Sequence, residues 1–196
     1  MTLSVTGIDM GLKSFISDSK GNKYEDPKAL ISLESKLIKE QQRLSLKTKG
    51  SRNYNKQRIK LARIHERIEN IRNNYLHQLS TSIINENQVI IVEDLDVRKM
   101  LEEGNKNISK RISDVSISKF INMLEYKARM YGKVFYKVNR YYASTQICSE
   151  CGYRNKALKD LSIREYRCPK CNTSHDRDTN VAKNILKYGL DKIFVY

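Results

Sequence analysis

The N-terminal part of the chain carries its apolar residues in two short runs that contain β-branched and aromatic residues, a pattern typical of β-strands. Residues 4–9 form one candidate strand and residues 14–18 a second, and a turn is expected around Gly21. Pro27 ends this region because proline lacks the amide proton that a strand ladder requires. We therefore expect residues 4–24 to form a β-hairpin.

A long stretch with helical spacing follows, from about residue 28 to residue 84. Its first arm carries leucines at near-helical spacing, namely Leu30, Leu33, Leu37 and Leu44. Its second arm carries a longer apolar stripe, namely Leu61, Ile64, Ile68, Ile71, Tyr75 and Leu79. Residues 47–56 between the arms are polar and basic, with a break at Gly50. The pattern predicts a helical hairpin with a basic tip.

Shorter apolar runs define the rest of the chain, with a strand at 88–92, a helix at 117–130 and a strand at 133–138. The first of these strands is rich in β-branched residues without alternation, which indicates burial on both faces. A last helix is predicted over residues 178–188, and Gly189 is expected just after its end, where glycine terminates many helices. Strands with intervening helices favour an α/β fold, a mixed sheet covered by helices.

The composition points to a polyanionic partner. Lys and Arg number 37 against 22 Asp and Glu, giving a formal net charge of +15. Nucleic acid is favoured over an anionic membrane surface, because no helix pairs a basic face with bulky Trp, Phe and Leu anchors. No apolar run has the roughly 20 residues that a membrane helix needs, and the N-terminus does not resemble a signal peptide. We therefore expect a cytoplasmic protein that does not associate with a membrane.

A basic row follows the second helical arm. Lys56, Lys60, Arg63 and Arg67 recur at i, i+4, i+7 and i+11, on the side that we expect to face away from the apolar stripe. A solvated helix face is the simpler explanation of a single such row, and the net charge is what favours contact with phosphates. Cations at the tip extend the set of candidate nucleic-acid-binding residues, namely Lys47, Lys49 and Arg52.

The four cysteines form two Cys-x-x-Cys pairs. Cys148 and Cys151 are separated from Cys168 and Cys171 by sixteen residues, a spacing within the four-cysteine zinc pattern. Four thiolates complete a tetrahedron and leave no open position, so the predicted Zn²⁺ site is structural. Four buried or reactive cysteines without a metal are the alternative interpretation.

Three acidic residues stand at the predicted ends of elements. Asp9 ends the first strand, Glu93 ends the buried strand, and Asp178 begins the last helix. Singly, they have simpler explanations, as a turn former, a solvated strand end, and a helix N-cap at Asp176 or Asp178. Together they could hold two Mg²⁺ or Mn²⁺ ions about 3.5–4 Å apart for phosphodiester hydrolysis.

Four segments resemble the motifs of one protein family. Residues 7–14 are similar to the first RuvC motif of the TnpB proteins, the OrfB-type transposases, and of the related compact type V CRISPR effectors. Residues 90–100, with Glu-Asp-Leu, resemble the second motif. Residues 143–152 and 168–185 resemble the zinc-bearing element that binds target nucleic acid, followed by the third motif.

The resemblance covers essentially the whole chain and implies an RNase H-like (RuvC) fold. It implies that Asp9, Glu93 and Asp178 are the catalytic, metal-binding residues of an RNA-guided DNA endonuclease, and that the helical hairpin contacts guide RNA or heteroduplex. The implied domains are a nuclease core over 1–142, a zinc ribbon over 143–174 and a final helix over 175–196.

Family members also carry an N-terminal wedge and recognition module, whereas this sequence begins at the first RuvC motif. A truncated product, a module supplied by another chain, and a reduced role all remain open. The alternative function is therefore a nucleic-acid-binding protein or regulator, derived from a mobile element, without turnover. A purely structural zinc protein is disfavoured, because it leaves the net charge unexplained.

Overall fold

The computed structural model describes residues 3–11, 14–97, 99, 102, 116–160 and 162–194. The side chain of Leu30, expected in the first helical arm, lies outside the described part. Leu12 and Lys13 of the first motif, and Arg98 and Met100 of the second, lie outside it as well. Within the described residues, no helix is both long and apolar enough to cross a membrane.

A five-stranded mixed sheet forms the centre of the fold, in the order β3-β2-β1-β4-β5. Its strands are β1 (Val5–Met10), β2 (Ile16–Asp18), β3 (Lys23–Tyr24), β4 (Val89–Glu93) and β5 (Val134–Val138). The first three strands are antiparallel, and β4 runs parallel to both β1 and β5. The expected hairpin therefore has a third strand, and the turn at Gly21 joins β2 to β3. The predicted α/β class with a mixed sheet is confirmed.

Among the described residues there are four long helices, α1 (Ala29–Ser45), α2 (Arg52–Glu86), α3 (Ile117–Met130) and α4 (Arg177–Phe194). The last three pack on the sheet, whereas α1 packs on α2. The first two form the predicted helical hairpin. Gly50, with φ of 85°, lies in the turn between them, and the Ser51 hydroxyl caps α2 by accepting a hydrogen bond from the Tyr54 amide. The helix predicted over residues 117–130 is α3, and its observed bounds agree with the prediction.

The two faces of the sheet carry different helices. Ile90 and Val92 of β4 pack with α2 and α3, whereas Val89 and Ile91 pack with α4. Successive side chains of a strand point to opposite faces, so a strand covered on both sides must be apolar throughout. This double burial accounts for the unbroken apolar run that the sequence shows in β4.

The hairpin has a small core of its own, which contains Leu37, Ile64 and Ile68. Farther along α2, Leu76 and Leu79 belong to the main core beneath the sheet. The predicted stripe is therefore shared between two cores. Ile71, expected to be buried in it, is 36% exposed because it lies where α2 passes from one core to the other.

The end of the last helix differs from the prediction. Gly189 lies inside α4, which continues to Phe194, and it is buried. A Cβ atom at Gly189 would lie 2.5 Å from Cγ2 of Ile91 on the central strand. Gly189 is thus required by close packing of the helix on the sheet, and the helix does not end there. A glycine at the end of a helix and a glycine in close contact with a sheet look the same in the sequence, so only the structure distinguishes them.

Candidate active site and metal centre

Asp9 and Glu93 lie next to each other at the sheet edge that the carboxyl ends of β1 and β4 form. The parallel register pairs Ile8 of β1 with Val92 of β4, so the next residues of the two strands are Asp9 and Glu93. Neighbouring strands are about 4.8 Å apart, and paired residues point to the same face. Since Ile8 and Val92 face α2 and α3, both acids face α4.

Asp178 reaches the same place from the N-terminal turn of α4. The cap of this helix is Asp176, whose Oδ1 accepts hydrogen bonds from the amide and hydroxyl of Thr179, both 3.0 Å long. Capping therefore accounts for Asp176, and Asp178 lies two residues later in the first turn of α4. Its carboxylate lies 3.5 Å from the guanidinium of Arg164.

The negative charges of Glu93 and Asp178 act on the carboxylate of Asp9. Burial raises the pKa of Asp9 well above its ordinary value, and the negative charges of Glu93 and Asp178 raise it further, against the opposing effect of Arg177. Burial also raises the pKa of Glu93, while the Ser144 side chain lowers it. The sheet edge thus concentrates negative charge that a bound cation would neutralise.

The chemistry of these acids fits a hard divalent cation, since Mg²⁺ and Mn²⁺ prefer oxygen ligands. The acids are spread more widely than the cysteines. Among the described residues, the only group with at least three possible ligand atoms all within 4.8 Å of one another is the cysteine cluster. A wider spread is compatible with a pair of ions about 3.5–4 Å apart, since each ion needs to reach only some of the carboxylates.

The four cysteines converge on one point. The sulfurs of Cys148 and Cys171 are 3.7 Å apart, and those of Cys151 and Cys168 are 3.6 Å apart. Zn–S bonds of about 2.3 Å imply tetrahedral S···S distances of about 3.8 Å. Burial raises the pKa of the Cys148 thiol to about 12, whereas hydrogen bonds with Thr173 lower that of Cys171 to about 6. The cluster could hold zinc, as the spacing predicts.

The two knuckles share one backbone design. In each, the residue after the second cysteine donates its amide to the carbonyl of the first cysteine, from Gly152 to Cys148 and from Asn172 to Cys168, both at 2.9 Å. Both residues have positive φ, 71° for Gly152 and 60° for Asn172. Glycine and asparagine tolerate this left-handed conformation best, which explains their presence at these positions.

Several residues attach the ribbon to the start of α4. His175 is buried, and its Nε2 lies 3.1 Å from the Cys148 sulfur. Arg177 is 3% exposed. Its guanidinium donates to three backbone carbonyls of the segment between the knuckles, those of Leu158, Asp160 and Ile163. The segment His-Asp-Arg-Asp therefore joins the cysteine cluster to Asp178.

The basic row borders a groove between the hairpin helices. Lys60, Arg63 and Arg67 line this groove of about 340 Å³ together with Lys36 and Arg43 of α1. The row therefore flanks the buried face of α2, although we expected it on the opposite side. Exposed positions hold the remaining candidates, namely Lys47, Lys49, Arg52 and Lys56. The buried Glu40 lines the same groove and accepts hydrogen bonds from Gln57 and Arg43, both at 2.6 Å.

Sequence reasoning missed several side chains that the fold brings to these sites. Lys36 and Arg43 share the groove only because α1 packs on α2, and Arg164 meets Asp178 only through the ribbon. Ser144 precedes the first knuckle by four residues but belongs to no recognised ligand pattern. His175 lies within the third motif, four residues after Cys171. This closeness in sequence was the one signal that could have predicted its contact with the ribbon.

Two family models match the chain. One, OrfB_IS605, described as "Probable transposase", matches residues 2–104. The other, "Cas12f1-like, TNB domain", matches residues 118–185. The first covers more than half of the chain, and the second includes the whole four-cysteine cluster.

Curated relatives match nearly the whole chain. A protein of Streptomyces pristinaespiralis named "Putative RNA-guided DNA endonuclease" is 40% identical over 189 residues, which cover 96% of this chain and 46% of the relative. "Putative RNA-guided DNA endonuclease InsQ" of Escherichia coli (strain K12) is 31% identical, over 95% of this chain and 49% of the relative. "TnpB-like protein L79" of Acanthamoeba polyphaga mimivirus is 28% identical, over 94% and 37%. The chain spans less than half the length of each of these relatives.

Among solved structures, the fold is similar to the protein in "Cryo-EM structure of the Cas12f1-sgRNA-target DNA complex". The TM-score is 0.59 at 22% identity, over 92% of this chain and 38% of the other. This likeness concerns the fold alone. The family match over residues 2–104 and the 40% identity along nearly the whole chain lead to one conclusion. The chain belongs to the TnpB-related OrfB_IS605 transposase family.

Proposed function

We propose that this chain is the nuclease part of a TnpB-type, RNA-guided DNA endonuclease, with Asp9, Glu93 and Asp178 as its metal-binding catalytic residues. The observation that supports the proposal is the parallel register that sets Asp9 beside Glu93, together with the charge of Asp178, which raises the pKa of Asp9. The names of the relatives support the same activity. A site of this kind favours hydrolysis of DNA over binding alone, because binding to phosphates would not require concentrated negative charge.

The proposed fold is RNase H-like, of the RuvC type. The mixed sheet order and the long helix packed across β1 and β4 support this assignment. The division into a core over 1–142, a ribbon over 143–174 and a final helix over 175–196 remains a prediction. The match of one family model to residues 118–185 spans both predicted boundaries.

Two kinds of metal ion would bind, each at its own site. Mg²⁺ or Mn²⁺ held by the three acids would supply positive charge for cleavage of the phosphodiester bond. Zn²⁺ held by Cys148, Cys151, Cys168 and Cys171 would fix the ribbon, with no position open to water. The protein's own contribution is positional: the strand register fixes Asp9 beside Glu93, and the first turn of α4, which Asp176 caps, carries Asp178.

The proposed partners are DNA and a guide RNA. The exposed cations of the hairpin support this part, since five of them line one groove and others extend along the tip. Neutralising phosphates there would release counterions and favour binding. Recognition of the DNA beside the target is assigned to a wedge module outside the sequence described, in the same chain or in another.

The test of the proposed activity is cleavage of single-stranded DNA in Mn²⁺ by the full chain and by Asp9→Ala. We expect cleavage by the wild type, loss of it on adding EDTA, and a reduction of at least about a hundredfold in Asp9→Ala, since an acid that holds a catalytic cation is removed. Asp191→Ala, an exposed acid on α4, is the matched control and should cleave like the wild type.

Equal cleavage by Asp9→Ala and the wild type would show that the acids are assigned wrongly. DNA binding that persists in EDTA, without products in Mg²⁺ or Mn²⁺, would instead favour the non-cleaving alternative.

A further inference from the structure

We infer that Tyr141 is a DNA-binding residue, whose ring stacks on an unpaired base of single-stranded DNA bound at the acidic site. The inference rests on the proposed function, because it names a contact to the substrate of that same site. It assigns a role to residues 139–142, the loop that follows β5.

The loop lies beside Glu93. The parallel register pairs Glu93 of β4 with Val138 of β5, and the amide of Asp94 donates to the Val138 carbonyl at 3.2 Å. Tyr141 follows this pair by three residues. Glu93 and Tyr141 line one cavity of about 330 Å³, a volume within the roughly 300–1,000 Å³ of small-ligand sites. A group bound in this cavity could therefore contact both the acid and the ring.

The Tyr141 ring is 87% exposed. Single exposed apolar side chains are ordinary on protein surfaces, so exposure alone would carry no argument. What distinguishes Tyr141 is that the residues on both sides of it are fastened to the elements that surround the acids.

Arg140 fastens the loop to the end of β4. Its Nε and Nη2 donate to Oδ2 of Asp94, at 3.0 and 2.8 Å, and its Nη1 donates to Oδ2 of Asp96 at 3.0 Å. The guanidinium is planar, so bonds to two acids fix its orientation as well as its position. The loop is thus tied to the residue that follows Glu93.

Tyr142 fastens the loop on the other side. Its ring stacks on Tyr188 of α4, with the ring centroids 4.2 Å apart. Within the loop, the Tyr141 amide donates to Oδ1 of Asn139 and the Tyr142 amide donates to the Asn139 carbonyl, both at 2.9 Å. Asparagine side chains that bond the backbone two residues on stabilise turns of this kind. A fixed backbone therefore presents the exposed ring.

A fixed aromatic ring beside a site that cleaves phosphodiesters is suited to hold a nucleobase. Every base has a π-face, so stacking on an aromatic side chain binds single strands without sequence preference. A ring whose backbone is already held in place loses little freedom on binding, which leaves more of the stacking free energy as affinity. A base stacked on Tyr141 would hold its strand near Glu93 and a cation bound there.

The experiment compares binding of the full chain to a thymidine oligomer and to an abasic oligomer of the same length, by fluorescence anisotropy. Both carry the same phosphates, so the ratio of their affinities isolates contacts to bases. Ca²⁺ is present because the acids would repel phosphates without a cation. We expect Tyr141→Ala to lower the preference for thymidine about tenfold.

Three variants identify the ring as the cause. Tyr141→Phe and Tyr141→Trp should keep the wild-type preference, because both keep an aromatic face. Tyr131→Ala is the matched control, since Tyr131 is 49% exposed but precedes β5, at the opposite end of that strand. An unchanged preference in Tyr141→Ala would overturn the inference, whether or not the chain cleaves DNA. A lowered preference in a chain that never cleaves DNA would support the stacking contact and contradict the proposed nuclease.

Cleavage in Mn²⁺ then locates the base along the strand. In thymidine oligomers that contain one abasic residue, the wild type should cut less often at linkages a fixed number of nucleotides from that residue. Tyr141→Ala should show no such dependence, because its binding no longer uses that base. The same suppression in both proteins would show that another side chain holds the base, and would overturn the inference.

Discussion

Asp9 illustrates how a site residue can oppose folding. The Asp9 side chain is partly buried and is affected by the charges of two further carboxylates. Its ionised form is therefore unfavourable when no cation is bound. Such a residue is retained at a cost in stability, which is a common property of functional sites. The cost should be measurable in the absence of divalent cations.

We predict that Asp9→Asn stabilises the cation-free protein near neutral pH. The folded state raises the pKa of Asp9, so it holds an extra proton between the ordinary carboxyl pKa and the raised one. The stability of the wild type therefore falls as pH rises through that window, and asparagine removes this loss. Thermal unfolding in EDTA, compared over a pH series, measures the difference.

The gain should disappear at acidic pH, below the ordinary carboxyl pKa, where Asp9 is protonated in both states. Saturating Mg²⁺ should reduce or reverse the stability gain of Asp9→Asn, because only the wild type keeps all three acids to bind the cation. A variant less stable than the wild type at every pH would show that Asp9 is held by favourable contacts.

At the scale of elements, α4 organises both sites. Its first turn, capped by Asp176, carries Asp178. Its two buried asparagines, Asn180 and Asn184, hold the first knuckle, and Gly189 brings its C-terminal half close to the sheet. Gly7 of β1 serves the same close approach, because a Cβ there would lie 2.2 Å from the Ala182 carbonyl oxygen. The two glycines thus bring α4 close to the strands that carry Asp9 and Glu93.

Gly189→Ala tests this packing. Alanine would stabilise the helix by about 1 kcal/mol relative to glycine. Its methyl group, however, would overlap the Ile91 side chain in a closely packed core, which costs about 1–3 kcal/mol. We therefore expect a net loss in the free energy of unfolding, measured with denaturant. The loss should be smaller, or become a gain, when Gly189→Ala is made in an Ile91→Ala background.

That double-mutant comparison also serves as the control, because only the contact between the two side chains couples them. Equal effects of Gly189→Ala in both backgrounds would mean that the glycine is required for another reason.

At the scale of the whole molecule, charge is divided between two regions. The acids are gathered at one sheet edge, while five cations of the hairpin line one groove between α1 and α2. The net charge of +15 therefore coexists with a concentrated negative site. Under the proposed function, the groove would attract phosphates, and the acidic site would receive them once cations are bound.

We predict that the groove makes direct phosphate contacts. Replacing Lys60, Arg63 and Arg67 together by glutamine should weaken binding to single-stranded nucleic acid. The slope of log affinity against log salt should also fall by about 2, since each phosphate contact contributes about 0.7. Titrations over a range of salt concentrations measure both changes.

Glutamine at Arg129, Lys187 and Lys192 removes the same charge from exposed positions outside the groove and is the matched control. If both triple variants change the slope equally, binding follows net charge, and the groove has no special role.

Much of the local structure followed from the sequence. The bounds of α3, the double burial of β4 and the break near Gly50 were predicted correctly, because each depends on periodicity or on a residue with special backbone freedom. The cysteine cluster was equally accessible, since a fixed spacing within a knuckle determines which sulfurs can share an ion. The acids were found as ends of elements, but their catalytic role remains a prediction.

The sequence by itself determined which residues form strands, helices and knuckles, because these depend on neighbours within a few positions. Only the tertiary structure decided that Asp9 stands beside Glu93, that Gly189 lies within α4, and that Asn184 reaches the first knuckle. Each of these depends on the register of paired strands or on the distance between packed elements. Such relations join residues far apart in the chain, and no local pattern specifies them.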